Sequence, residues 1–144
     1  MKKRTIQGGS NNDNWETPEY IKEDIRKEFG EFFDPCPINH DLLEWNGLDI
    51  EWKEVNYVNP PYNNKDKVAF IWKAYTESLK GRTSIMLIPV TTDIPVFHEV
   101  ILPFGEIRFI KGRVKFKGYN SKGEYTEKGT GQSGSMFVIF RGVK

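Results

Sequence analysis

Cysteine and histidine are nearly missing from this 144-residue chain: Cys36 stands alone, and His40 and His98 are the only histidines. A single thiol excludes an intrachain disulfide, and this set of residues forms no pattern that reads as a zinc site, so no metal is expected. Long apolar runs are missing too. None reaches eighteen residues, and Met1-Lys2-Lys3-Arg4-Thr5 leads into Gly, Ser and Asn rather than an apolar stretch. Neither a membrane span nor a secretory signal is therefore expected, which points to the cytoplasm. Length is the last shortage. With 38% hydrophobic and 14% aromatic residues, the chain can bury one core but not two. One domain over residues 15–144 is expected behind a flexible, polar arm over residues 1–14, with no room for a separate recognition domain.

The formal net charge of +1 conceals an uneven distribution. Residues 13–54 carry thirteen acidic and four basic side chains, whereas residues 55–144 carry fourteen basic and seven acidic ones. A polyanion would meet the basic half, although a charge run is also the ordinary composition of a solvated face.

Strand and helix signals alternate along the chain. Thr17-Pro18-Glu19 reads as a helix start, with Thr17 as N-cap, Ile21, Ile25 and Phe29 on one face, and Gly30 at the end. Glu31–Asp34 is a short strand candidate followed by an irregular stretch. Val55–Val58 is a second strand. A helix is expected from Asp66 to Leu79, with Val68, Ile71, Trp72, Tyr75 and Leu79 at helical spacing and Gly81 as its stop. Ser84–Pro89 has the unbroken apolar character of a central strand covered on both faces. A helix within Asp93–Leu102, strands at Glu106–Ile110 and Arg113–Lys117, a polar Gly-rich segment over Gly118–Gly134 and a final strand at Ser135–Phe140 complete the pattern. It describes an α/β domain with a mostly parallel sheet and antiparallel closing strands. In such sheets ligands bind beyond the carboxyl ends of strands, where both Asp34-Pro35 and Asn59-Pro60 fall.

Asn59-Pro60-Pro61-Tyr62, directly after the second strand, has a specific chemical reading. The amide oxygen of Asn59 and the carbonyl of Pro60 can accept both hydrogens of a planar exocyclic amine, drawing the nitrogen lone pair out of ring conjugation. Tyr62 offers an aromatic face for an extruded base. No ionisable general base is needed if the methyl donor is as reactive as the sulfonium of S-adenosylmethionine and is held in line. The bland reading is a rigid turn after a strand.

Trp15-Glu16-Thr17-Pro18 before a helix, Phe33-Asp34-Pro35-Cys36 after a strand, Asn59–Tyr62 after the next and Ile88-Pro89 ending the third follow one another in an order that resembles the small phage-type DNA N6-adenine methyltransferases, a Dam-like family. Phe109-Ile110-Lys111-Gly112-Arg113-Val114-Lys115-Phe116 is similar to that family's Gly-Arg-x-x-Phe signature. The resemblance covers about Trp15 to Phe140. It implies an abbreviated Rossmann-like, S-adenosylmethionine-dependent methyltransferase fold, with the bacterial host's cytoplasm as the location if the chain is phage-encoded. It implies S-adenosylmethionine held by Trp15, Thr17, Pro18, Asp34, Pro35 and Cys36, and a target adenine held by Asn59, Pro60, Pro61 and Tyr62. DNA is the implied partner, with Arg113, Lys115 and Lys117 as candidate contacts; nothing in the sequence sets an oligomeric state.

Two departures stand out. Cys36 leads into Pro37-Ile38-Asn39-His40 instead of the Gly-rich loop of the wider methyltransferase fold. Only about twenty residues separate the Asp34 and Asn59 strands, where each further strand–helix unit would need on the order of twenty to thirty. The alternatives are methylation of cytosine N4 or a protein glutamine amide, or a non-catalytic DNA- or partner-binding protein on a degenerate fold.

Overall fold

A computed structural model of the protein describes residues 16–38, 40–61, 63–116, 118–119, 125–126 and 134–144. Its main sheet is built from β1 (Val55–Val58), β2 (Thr83–Pro89), β3 (Glu106–Phe109) and β6 (Ser135–Phe140), in the order β1-β2-β6-β3. β1 and β2 are parallel, and β6 lies antiparallel between β2 and β3. β1, β2 and β3 thus run one way, but β6 between β2 and β3 makes two of the three pairings antiparallel, so the sheet is mixed rather than mostly parallel. Two short strands, β4 (Gly118–Tyr119) and β5 (Tyr125–Thr126), form a separate antiparallel pair.

Helices cover both faces. On one, α2 (Asn64–Ser78) and a π-helical turn (Phe97–Ile101) running into α3 (Leu102–Phe104) pack over Val58, Met86, Ile88, Met136 and Val138. On the other, Ile21 and Ile25 of α1 (Glu19–Phe29) pack with Tyr57, Ile85, Leu87 and Ile139. The strict alternation of Ile85, Met86, Leu87 and Ile88 between the two cores, each at most 2% exposed, is the arrangement expected of a central strand with two covered faces.

Local expectations fail in four places. First, α1 begins at Glu19, and Pro18 with ψ 145° is its cap without any side-chain cap bond. Thr17 therefore lies one residue too far out to cap, and its hydroxyl turns inward to the Tyr57 hydroxyl. Second, the Glu31–Asp34 strand shrinks to one bridge, Phe33 beside Asn56. Third, Arg113–Phe116 is not a strand, because β3 pairs with β6 instead of with it. Fourth, α2 turns Phe70, Ile71 and Ala74 inward and leaves Trp72 and Leu79 exposed. That helix starts at Asn64 because Asn63 caps it, accepting from the Asp66 N–H at 3.0 Å. Trp15, Tyr62 and Lys117 lie outside the described residues, as does the whole 1–14 arm.

Candidate active site

The carboxyl end of β1 carries the Asn59 turn. Val58 is wholly buried, Pro60 and Pro61 are buried behind it, and the Asn59 side chain is half-buried with its oxygen shielded from solvent. Proline's fixed φ makes such a turn stiff. Beside it, the backbone of Phe33 donates to the Val55 carbonyl at 2.9 Å and accepts from the Tyr57 N–H at 2.9 Å. This single rung sets Asp34 next to the end of β1.

Asp34 is then fixed by its own turn, since Oδ1 accepts the Cys36 N–H at 2.8 Å. Burial raises its carboxyl to about 6, against the Cys36 N–H and the nearby Lys22 and His40 charges, which pull it down. The Cys36 thiol is buried and raised well above its ordinary value, by burial first and by the Asp34 and Asp66 charges after it. It is a packing residue, not a nucleophile. Behind the turn lies Gly47, where a Cβ would fall 1.9 Å from the Pro35 carbonyl oxygen. Trp52 Nε1 ties the Gly47 carbonyl at 2.8 Å, and His40 packs against Trp45 with its ring tilted while bonding the Trp45 carbonyl at 2.8 Å. The loop that replaces a Gly-rich turn is therefore held by aromatic packing.

Glu16, Thr17, Lys22, Asp34, Cys36, Pro37, Ile38 and Asn59 together line a cleft of about 160 Å³. Thr17, Asp34, Cys36 and Asn59 are thus brought together, whereas Pro18 and Pro35 are not among the lining residues. Lys22 and Glu16, 3.6 Å apart, were missed from the sequence. Lys22 follows Ile21 on α1 and reads there as an ordinary solvated helix position, so no local signal marks it. The cleft is smaller than the roughly 300–1,000 Å³ that encloses a whole ligand, but it suits the amino-acid end of one: a carboxylate for an ammonium, a lysine and the nearby start of α1 for a carboxylate. A larger cleft of about 340 Å³ lies between α1 and the sheet, lined by Tyr20, Ile25, Phe29, Phe109 and others, and meets neither Asp34 nor Asn59.

The basic segment divides. Val114 and Phe116 are 4% and 2% exposed in the α1-side core. Burying each contributes about 1.5–3 kcal/mol, and this holds Lys111, Arg113 and Lys115 outward at exposed positions. Arg108, on β3 before this segment, is taken by Glu28 through two bonds of 2.7 and 2.8 Å and by Glu106 at 2.8 Å. Among the described residues no group of three or more His, Cys, Asp or Glu is placed to hold a metal ion, and no helix is long and apolar enough to cross a membrane.

Fold and cleft together define an α/β domain with a polar site beyond the carboxyl ends of its parallel strands. The family model for DNA N-6-adenine-methyltransferase (Dam) matches residues 5–144, and the chain belongs to that family. No curated protein and no solved structure matches it. The family is one of transferases that methylate adenine N6 in DNA.

Proposed function

We propose that the protein transfers a methyl group from S-adenosylmethionine to the N6 amine of adenine in DNA, on an abbreviated Rossmann-like sheet. One observation carries the reading: Thr17, Asp34, Cys36 and Asn59, from three separate stretches of sequence, line a single polar cleft. Bound there, S-adenosylmethionine would supply an electrophilic methyl on sulfonium. Asp34 accepts hydrogen bonds from its ammonium, and Lys22 faces its carboxylate. Asn59 and the Pro60 carbonyl accept the two amine hydrogens of the target base, which frees the nitrogen lone pair as the amine pyramidalises. Tyr62 stacks on that base, and buried Pro61 keeps the turn from yielding.

Asp34 gives this reading a pH signature. Its folded value of about 6 exceeds the ordinary 3.8, so between these values the folded chain binds more protons than the unfolded one. Stability of the ligand-free protein falls as pH rises through that window. An ammonium ligand favours the carboxylate, so cofactor affinity rises as pH climbs through about 6, and binding near pH 6 releases a proton. Titration calorimetry in buffers of different ionisation heat measures both. No heat at millimolar cofactor, with or without DNA, would remove the methyltransferase reading, and a pH-independent affinity would remove Asp34 from the site.

For DNA, the cations after Gly112 take the place of a recognition domain. Replacing Lys115 and Lys117 together is expected to weaken binding to all duplex sequences and to reduce the slope of log affinity against log salt by about two. Loss of Arg113 should reduce turnover more than affinity. An unchanged slope in the double lysine variant would move the DNA surface elsewhere, with Lys2-Lys3-Arg4 the first place to look.

A further inference from the structure

The turn that carries Asp34 has little sheet to hold it. Its strand is a single bridge, Phe33 beside Asn56. In the loop that follows, the backbone bonds among the described residues are short turns: His40 to the Pro37 carbonyl, Glu44 to Asp41 and Asp49 to Asn46. Yet Gly47 of that loop is buried and lies so close to Pro35 that no Cβ fits between them. A loop without a ladder keeps such an approach only through partners outside itself.

Trp52 is that partner. It is 2% exposed and attached in three ways. Its backbone N–H donates to Glu77 Oε1 at 2.7 Å, its indole Nε1–H donates to the Gly47 carbonyl at 2.8 Å, and its ring stacks on Phe70 of α2 with centroids 6.4 Å apart. Glu77, wholly enclosed in the last turn of α2, is held in turn by Arg82 Nη1 at 2.8 Å and Lys73 Nζ at 3.4 Å. A bond from a backbone N–H to a carboxylate is about twice as strong as a neutral one, so the indole is anchored to α2 and not to the loop it grips. Contacts run from α2 through Glu77, Trp52 and Gly47 to Pro35, the residue after Asp34. Covering Phe70 needs only a ring. The indole N–H adds the bond to Gly47.

We infer that Trp52 is a positioning residue of the cofactor site: its indole N–H latches Gly47 against Pro35 and so holds the Asp34 carboxylate where the ammonium of S-adenosylmethionine meets it. The choice of ligand rests on the methyltransferase reading. Without the latch the buried Gly47 carbonyl loses this donor, the Asp34 turn is free to shift, and the cofactor complex weakens. The Asn59 turn takes no part in the path, so the chemical step with cofactor bound survives.

The test compares Trp52→Phe, which keeps a ring on Phe70 and removes the donor, with Val138→Ala, a cut in the same core on β6, two strands from β1. On the full chain, S-adenosylmethionine binding is titrated and referred to the folded fraction, and methyl transfer to a duplex oligonucleotide containing adenine is measured at saturating cofactor. Trp52→Phe is expected to raise the cofactor Kd about fivefold or more, with turnover at saturating cofactor within about twofold of the unaltered chain. Val138→Ala should lower the melting temperature and leave that Kd unchanged, which a merely structural role for Trp52 would not distinguish from Trp52→Phe. An unchanged Kd in Trp52→Phe would overturn the inference, as would the same rise in Val138→Ala or a large loss of turnover at saturating cofactor. Should Trp52→Phe not fold, the unaltered chain decides: exchange of the Trp52 indole hydrogen with solvent, followed by magnetic resonance, should slow when cofactor binds, and an unchanged rate overturns the inference. Transfer by the unaltered chain with an unchanged Kd in Trp52→Phe sinks this inference alone. Cofactor binding without transfer to DNA sinks the methyltransferase reading and leaves the latch to be judged by the Kd. No cofactor binding by the unaltered chain overturns both.

Discussion

Asn59→Ala is expected to lose methyl transfer by a factor of 10² or more while folding almost normally. Removing an acceptor that acts mainly as charge develops on the amine should cost about 3 kcal/mol or more of transition-state stabilisation. The fold should tolerate the change, because Val58, Pro60 and Pro61 are buried on either side of Asn59. Single-turnover kinetics should show the loss in the chemical step, with cofactor and DNA affinities within a few-fold of the unaltered chain. Tyr62→Ala should differ in kind, weakening base binding by about 1–3 kcal/mol through lost stacking, whereas Tyr62→Phe should be mild. Near-normal turnover in Asn59→Ala would reduce the motif to a turn.

The second large effect is expected at a residue that touches no substrate. Gly47→Ala places a methyl group 1.9 Å from the Pro35 carbonyl oxygen and 2.9 Å from the carbonyl carbon, both backbone atoms. No rotamer relieves such a clash, so the Asp34-Pro35-Cys36 turn or the Gly47 backbone must move. The strain should destabilise the domain by about 1–3 kcal/mol, and cofactor affinity should fall further than the melting temperature alone explains. Thermal melts with and without S-adenosylmethionine separate the two effects. A variant with normal stability and normal cofactor stabilisation would show that the turn behind Asp34 is not held as described.

The parts of the fold that are legible in the sequence are those whose signal is local and unopposed. Ser84–Pro89 is apolar on both faces and lies in β2, between β1 and β6; Gly30 caps α1 with φ 90°, and Gly81, with φ 91°, lies two residues beyond the Leu79 cap of α2. Alternation in Arg113–Phe116 identified which side chains are buried, but it implied a strand because period-two burial normally comes from a ladder. Here the partner that β3 takes is β6, far along the chain, and nothing in residues 106–117 discloses that choice. On α2, Ile71 is buried and Val68 and Tyr75 pack against the same core as expected, whereas Trp72 and Leu79 are exposed, for a related reason. Trp72 and Leu79 fit the helical spacing as well as Phe70 and Ala74 do, and only the position of the sheet selects between the two stripes.

The site was legible as a set of motifs but not as a geometry. Asp34 and Asn59 follow apolar strand residues, and the rule that ligands bind at carboxyl strand ends groups them correctly in space. Thr17 was read as a cap because a Thr-Pro-Glu sequence starts many helices; its bond to Tyr57, forty residues away, has no local trace. Gly47 and Lys22 were missed because their roles depend on a close approach and a cleft that only the folded chain creates. Arg108 belongs to an ion pair because α1 delivers Glu28 to it, a partner eighty residues away that leaves no local trace.

The most direct test of the central claim is to incubate the protein with DNA and S-adenosylmethionine bearing a labelled methyl group, digest the DNA to nucleosides and identify the labelled one. Label is expected on N6 of deoxyadenosine, and none in the Asn59→Ala variant. Label on cytosine, or none on DNA while the protein still binds both ligands, would contradict the account.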